Sequence, residues 1–274
     1  MPRSSLVGAE APSRFDWSQS LRYQAEEGRA LSALLGLSTT PLTLPMLWLG
    51  KSALLHTMRE LAGDTYFAVQ EAQEFFYKRP LRENEQLELQ ITLHHETSDV
   101  LQRLLVTARI NTDDATDTVT LKSTIRLIEK PSDRQGAAIT ATKQRAATTP
   151  DHILPIIEQD LIDRYAALSG DNNPVHLDRA FAQSLGLPDT VAHGMILLGL
   201  TQQAFSLLSD EKQGHAFPLH LSCRFLLPVH AGQQTGLTVK QNRQDERLSE
   251  RVTLSSEAGP HALAQIHYRT SEER

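Results

Sequence analysis

The sequence has a single cysteine, Cys223, and lacks any long uninterrupted hydrophobic run. One thiol cannot form a disulfide within the chain or build a thiolate metal cluster, which favours a reducing, cytoplasmic location. The most apolar runs, LPMLWLG and GMILLGL, are far shorter than the roughly 20 residues that cross a bilayer, and the first residues lack the apolar core of a signal peptide. We therefore expect no membrane-spanning segment.

An excess of basic residues is also missing. The 274 residues include 27 Lys and Arg against 33 Asp and Glu, which gives a formal net charge of −6. This balance provides no electrostatic footprint for nucleic acid or for an anionic membrane. The chain also lacks G-x-G-x-x-G, Walker and G-x-S-x-G patterns. Nucleotide-dependent enzymes and serine hydrolases are therefore poor candidates.

The remaining pattern divides the chain into two similar halves. Residues 129–150 are small and polar without apolar periodicity, which indicates a connection between domains. On each side of it, a long apolar helix, expected at 44–61 and again at 193–208, is followed by alternating strands. Three pairs of landmarks recur at nearly one spacing: Met46 and Met195, Gly50 and Gly199 (both 149 positions apart), and Pro80 and Pro228 (148 apart). The repetition predicts an α+β fold made twice, each unit an antiparallel sheet around a helix.

The segment GDNNPVH, residues 170–176, contains an acid, two amides, a proline and a histidine. Apolar residues at helical spacing predict a helix over 157–168 that ends near Gly170, and a second short helix is expected near Leu177. By residue type alone, the segment is most simply a connection between two helices. Because Asp171 and His176 flank a proline-stiffened turn, both side chains could also face one cleft as an acid/base pair.

Gly194 stands at the start of the second long helix. Free N–H groups and the helix dipole favour negative charge at such a position. Glycine also lets a ligand approach the backbone closely, so the Gly194 N–H could bind a carbonyl oxygen on which charge develops. The neighbouring His193 is more simply a structural turn residue than a catalytic one.

Two motifs resemble those of the MaoC-like proteins, a family that includes the (R)-specific enoyl-CoA hydratases. They are YAALSGDNNPVHLD at 165–178 and AHGM at 192–195. The resemblance implies a tandem (double) hot-dog fold, in which antiparallel sheets wrap around long central helices. It implies the following division of the chain: a degenerate N-terminal unit at 1–130, a linker at 131–150 and a catalytic unit at 151–274.

The resemblance also implies roles for individual residues. Asp171 and His176 would together hold and polarise one water, and Asn173 would fix the loop. The Gly194 N–H would donate to the carbonyl of a thioester, the bond that activates the substrate without a metal or organic cofactor. Asn173, His193 and Met195 are candidates for substrate binding. No D-x-N-P-x-H pattern occurs before residue 150, and Pro45 stands where the second half has Gly194, so one active site per chain is expected.

The implied reaction interconverts (R)-3-hydroxyacyl and trans-2-enoyl thioesters of coenzyme A or an acyl carrier protein. Two alternatives stay open at this point. One is hydration of a branched or dicarboxylic enoyl-CoA of the itaconyl or mesaconyl type, and the other is a non-catalytic module that binds acyl thioesters. The sequence leaves open the acyl chain length, the carrier, the direction of the reaction and whether the chain forms a homodimer.

Overall fold

The computed structural model describes residues 14–98, 101–131, 149–208, 219–244 and 247–268. In these ranges ten β-strands form one continuous sheet in which all neighbouring strands are antiparallel. None of the helices within them combines the length and the apolar character needed to cross a membrane. Residues 132–148 of the predicted linker lie outside the described residues, and the boundaries at 130 and 151 stay predictions.

The elements of the first half comprise five strands and three helices. In chain order they are β1 (Arg14–Arg22), α1 (Ala25–Leu35), α2 (Pro45–Gly50), α3 (Leu54–Ala62), β2 (Tyr66–Tyr77), β3 (Gln86–Ser98), β4 (Leu101–Thr112) and β5 (Ala115–Glu129). The alternation predicted for LELQITL in β3 is confirmed, because every second residue of it is buried. That burial pattern is typical of a sheet with one face on a core.

The second half contributes another five strands and four helices. They are β6 (His152–Ile153), α4 (Gln159–Ser169), α5 (Pro174–Leu177), α6 (Arg179–Ser184), α7 (Gly194–Leu208), β7 (Leu219–Phe225), β8 (Gly236–Gln244), β9 (Arg247–Ser256) and β10 (Gly259–Tyr268). The apolar helix α7 packs against β8, β9 and β10. The helix predicted at 193–208 is thereby confirmed.

The strand order is the same in both halves. Across the whole sheet it runs β1-β3-β4-β5-β2-β7-β10-β9-β8-β6. Read from either outer edge, the first strand of a half is followed by its third, fourth, fifth and second. The two half-sheets meet where β2 pairs with β7.

The junction between β2 and β7 is incomplete, and this shapes the site. Only Ala72–Tyr77 of β2 pairs with β7, so residues 66–71 have no strand partner on that side in the described part of the chain. The register of β2 against β5 shifts between Gln70 and Ala72, which makes Glu71 the extra residue of a β-bulge. Bulges bend a strand and redirect its side chains, and they are frequent beside active sites. An opening in the sheet is left next to this bulge.

Two glycines let the halves pack closely on each other. At Gly50 in α2, a Cβ would collide with the main-chain oxygen of Ser169 at the end of α4. At Gly199 in α7, a Cβ would lie 2.5 Å from Leu35 Cδ1 at the end of α1. Each glycine therefore receives the end of a helix from the other half, and neither position tolerates a side chain without movement.

The expectation of one unbroken helix over 44–61 is wrong, because the chain forms α2 and α3 with a break at residues 51–53. Ser52 accounts for the break. Its hydroxyl donates to the Leu49 carbonyl (2.6 Å) and accepts from the Leu54 N–H (3.2 Å), which replaces main-chain helical bonding. The helix predicted at 157–168 is confirmed as α4. The short helix expected near Leu177 begins earlier, at Pro174, and is interrupted at Asp178.

Candidate active site

The GDNNPVH segment is ordered by short-range hydrogen bonds. Helix α4 ends at Gly170, whose φ of 78° is the left-handed conformation that favours glycine. Three bonds then follow at a spacing of two residues. Ser169 Oγ accepts from the Asp171 N–H (3.2 Å), Asp171 Oδ1 from the Asn173 N–H (3.3 Å), and Asn173 Oδ1 from the Val175 N–H (3.3 Å). Asn173 thereby caps α5, and Asp171 keeps a second carboxylate oxygen without a partner among the described residues.

The ring of His176 has a defined tautomer. Its Nδ1 lies 2.7 Å from the Val191 carbonyl, and because a carbonyl only accepts, Nδ1 carries the proton. The lone pair of a neutral ring is therefore on Nε2. Burial lowers the pKa of His176 below that of a free imidazole, although Asp171 and the bond to Val191 oppose the shift. A neutral ring with a free Nε2 is the form that acts as a base.

His193 contacts both Asp171 and His176. Its Nε2 donates to the main-chain oxygen of Asp171 (2.9 Å), and its ring stacks on His176 with centroids 3.8 Å apart. The Tyr165 ring is tilted by 49° to the His193 ring, with centroids 4.9 Å apart. The His193 side chain is only 2% exposed. Burial, and then the neighbouring His176, lowers the pKa of His193, so it stays neutral. These contacts suit a residue that positions Asp171 and His176 better than one that binds substrate.

The backbone of Gly194 is open to the site. Gly194 is the first residue of α7, and among the described residues its N–H has no hydrogen-bond acceptor. The space beside it is narrow, since a Cβ there would lie 3.0 Å from Gln70 Oε1 and 3.1 Å from Phe225 Cζ. The first position of a helix with a free N–H is a site where negative charge is stabilised.

A cavity of about 800 Å³ joins these groups. Its volume suits a small-molecule ligand of moderate size. Its lining includes apolar side chains of α2 and α3, among them Leu49, Leu54 and Met58, and cationic side chains of the sheet. All six site residues predicted from the sequence contribute to its wall: Asp171, Asn173, His176, His193, Gly194 and Met195.

The first half also lines this cavity, through α2, α3 and β2. The motif-bearing loop packs on β2 through a small apolar cluster that includes Phe67 and Val175. Beside Gly194 lies Gln70, and its orientation follows from its neighbours. Gln73 Nε2 donates to a main-chain carbonyl, so Gln73 Oε1 accepts from Gln70 Nε2 (3.0 Å) and from the Ser123 hydroxyl. Gln70 Oε1 is thus left facing Gly194 as an acceptor.

The side chains of Asp171, His176 and His193 each bring one potential metal-ligand atom within 4.8 Å of the others. Two features argue against a shared ion. The two imidazoles are stacked with 25° between their planes, so their in-plane lone pairs do not converge on one point. His193 Nε2 is already used as a donor to a carbonyl. The donor set therefore fits a water between Asp171 and His176 better than a metal.

Comparison with known proteins identifies this part of the chain. Residues 129–258 match the family described as MaoC like domain. They are a MaoC-like domain. Among curated relatives, the (R)-specific enoyl-CoA hydratase of Aeromonas caviae is 35% identical over 92 residues, covering 32% of this chain and 66% of that enzyme. The 3-hydroxyacyl-thioester dehydratase X of Mycobacterium tuberculosis is 34% identical over 80 residues, covering 29% of this chain and 26% of that protein.

Solved structures extend the likeness beyond the MaoC-like domain. HtdX from Mycobacterium tuberculosis superimposes with a TM-score of 0.70 at 20% identity, covering 94% of this chain and 100% of the other. At this identity the likeness shows the fold, which is of the hot-dog type. By sequence, the matched segments span from 5% to 66% of the lengths of four curated relatives.

Proposed function

We propose that the protein is a hydro-lyase that interconverts (R)-3-hydroxyacyl and trans-2-enoyl thioesters. The observation that carries the proposal is the arrangement around one cavity of a neutral His176 with a free Nε2, a carboxylate oxygen of Asp171 and an unpaired Gly194 N–H. Relatives named as an enoyl-CoA hydratase and a 3-hydroxyacyl-thioester dehydratase support it. The R configuration follows the name of the hydratase relative.

In the hydration direction, Asp171 and His176 hold one water between them. His176 Nε2 accepts a proton as the water oxygen attacks C3 of the enoyl group, and negative charge moves to the thioester oxygen. The Gly194 N–H donates to this enolate oxygen, and a donor of this kind is worth about 3 kcal/mol. Delivery of the proton to C2 completes the addition of water. Dehydration follows the same steps in reverse, and no step requires a metal or organic cofactor.

The architecture that we propose is a tandem hot-dog fold with one active site. Its units would be residues 1–130 and 151–274, joined by a linker at 131–150. The identical strand order of the two halves supports this division. So does the position of the helix starts, because Pro45 opens α2 and Gly194 opens α7 at the spacing of 149 predicted from the sequence. Pro45 has no N–H to donate, so the first half cannot repeat the chemistry.

A second candidate is hydration of a dicarboxylic enoyl-CoA, because arginines line the cavity and could bind a distal carboxylate. A non-catalytic binding module is disfavoured, because such a module would not need the free Nε2 of His176 and the open Asp171 carboxylate. A CoA or carrier-protein thioester as partner, a cytoplasmic location and a homodimer remain proposals of the same kind.

Loss of enoyl absorbance with crotonyl thioesters tests the proposal. His176→Asn and Asp171→Asn keep approximate shape and remove the base and the carboxylate, and each should lower kcat by about 100-fold or more. His56→Asn is a matched control, since His56 is exposed in α3 and lies beside Glu60, away from the cavity lining. Wild-type rates in either of the two site variants would refute the assignment.

A further inference from the structure

The bulged residue Glu71 lies between two arginines of neighbouring strands. Its Oε2 is 2.9 Å from Arg103 Nε, and its Oε1 is 3.3 Å from Arg126 Nε. One carboxylate therefore accompanies two guanidinium groups, and the cluster carries one net positive charge. All three residues line the same cavity as Asp171 and His176.

The two arginines remain available to a ligand. Each contacts Glu71 through Nε, and within the described part of the chain neither has another hydrogen-bond or ion-pair partner. Arg103 and Arg126 stand directly opposite each other on β4 and β5, an arrangement in which like charges repel. Terminal guanidinium N–H groups in such a pair form a fork suited to phosphate or carboxylate oxygens.

Besides Arg59 of α3, two further cations line this cavity. Arg224 is paired across the sheet with Ala72, the residue that follows the bulge, and Lys130 lies 5.9 Å from the Phe181 ring centroid. Neither forms an ion pair with a described residue. The lining thus has five cationic side chains against two carboxylates, Glu71 and Asp171, whereas the whole chain has a net charge of −6.

Exposure distinguishes the two parts of the cavity. The side chains of Arg103 and Arg126 are 38% and 45% exposed, so the cationic part faces solvent. The apolar part contributed by α2 and α3 is buried, with Leu49 1% and Leu54 4% exposed. An acyl chain suits the buried apolar part, and the end of a thioester substrate that extends to solvent is its carrier arm.

We propose that Glu71, Arg103 and Arg126 form an anion-binding subsite for the phosphate of the thioester's 4′-phosphopantetheine arm. Arg224 and Lys130 add to its positive potential. The inference rests on the proposed function for the identity of the substrate. Glu71 neutralises part of the positive charge of the two arginines and thereby weakens phosphate binding, so its removal should strengthen binding.

The test compares crotonyl thioesters of pantetheine and of 4′-phosphopantetheine, which differ by one phosphate. The measured quantity is the ratio of their KM values with the full chain. Wild type should favour the phosphorylated arm. Arg103→Gln and Arg126→Gln should each reduce this preference about 10-fold, because each removes a charge-assisted hydrogen bond. Glu71→Gln should increase it.

The opposite signs separate binding from a structural effect, since disruption of the cluster would move all three variants in one direction. Arg109→Gln is a matched control on β4, because Arg109 pairs with Asp117 (3.6 Å) and lies outside the cavity wall. An unchanged ratio in the arginine variants, or a shift of the same sign in Glu71→Gln, would overturn the proposal. The proposal would also be overturned if the arginine variants raised KM only for mesaconyl-pantetheine, which has a distal acyl carboxylate and no phosphate.

Two additional arms complete the design. Crotonyl-CoA and crotonyl acyl carrier protein both contain the phosphate, so Arg126→Gln should raise KM for each, and an effect on neither would contradict the subsite. Calorimetric binding of free 4′-phosphopantetheine and pantetheine tests the subsite without turnover. If the wild-type chain hydrates no thioester but still binds the phosphorylated arm more tightly in this assay, the proposed reaction fails and the subsite stands.

Discussion

Replacing Gly194 by proline removes the proposed oxyanion donor and leaves a residue that suits the start of a helix. Proline lacks an N–H, and it is over-represented at the first helical position because that N–H has no partner within the helix. The chain already uses this arrangement, since Pro45 is the first residue of α2. Gly194→Ala is the matched control, because alanine adds a Cβ and keeps the N–H.

The contacts around Gly194 set the expected magnitudes. A Cβ at this position would lie 3.0 Å from Gln70 Oε1 and 3.1 Å from Phe225 Cζ, so both variants require their neighbours to move by a few tenths of an ångström. Alanine measures the effect of this crowding alone. Proline also removes the donor, which is worth about 3 kcal/mol, so its kcat should fall a further 100-fold or more below that of alanine.

The assay is enoyl absorbance with a saturating crotonyl thioester, with the melting temperature recorded for each variant. Gly199→Ala calibrates the cost of crowding elsewhere in α7, because its Cβ would lie 2.5 Å from Leu35 Cδ1, away from the reacting groups. Equal kcat values for folded Gly194→Pro and Gly194→Ala would show that the N–H does not stabilise the transition state.

Four further predictions concern the pair and its supports. Because burial lowers the pKa of His176, the acidic limb of kcat/KM for hydration should lie below pH 6.5, and a limb above it would contradict a buried base. In the unfolded chain imidazoles bind protons near pH 6.5, whereas burial lowers the pKa of His176 and His193 in the folded chain. The free energy of unfolding, measured in denaturant titrations, should therefore fall as the pH drops below 6.5, by up to about 1.4 kcal/mol per pH unit for each histidine. Gly50→Ala should cost about 1–3 kcal/mol of stability in thermal melts, because its Cβ collides with the main chain at Ser169, and no change would refute this packing. Gln70→Leu removes an acceptor beside the donor and should change KM in steady-state assays, whereas an unaltered KM would exclude contact with substrate.

The sequence predicts those parts of the molecule that depend on local pattern. The alternating burial of β3, the end of α4 at Gly170 and the start of α7 at Gly194 follow from residue periodicity and capping, and the structure has all three. Asp171 and His176 are five residues apart across a proline-stiffened turn, and this short spacing predicts that both side chains face one cleft. The hydrogen bonds of that turn are consistent with this reasoning.

The parts that sequence patterns did not reveal depend on the register between strands distant in the chain. Glu71 becomes a bulge only through its pairing with β5, and the bulge allows Gln70 and Gln73 to bond on one face. The one local signal of the bulge was the pair Gln70 and Gln73 in β2, because two bonded residues three positions apart do not fit the period of two along a regular strand. The break of the predicted helix at Ser52 was likewise hidden, because serine competes for main-chain bonds only when its rotamer permits.

The two halves contribute different residues to the candidate site, and neither half forms the whole site by itself. The second half supplies Asp171, His176 and Gly194, but the loop that holds them rests on Phe67 of β2, and the end of α4 fits against Gly50 of α2. The unpaired stretch of β2 leaves the opening beside Gly194. Because Gly50 fits closely against the end of the helix that precedes the motif, the first half forms part of the framework that holds the candidate site.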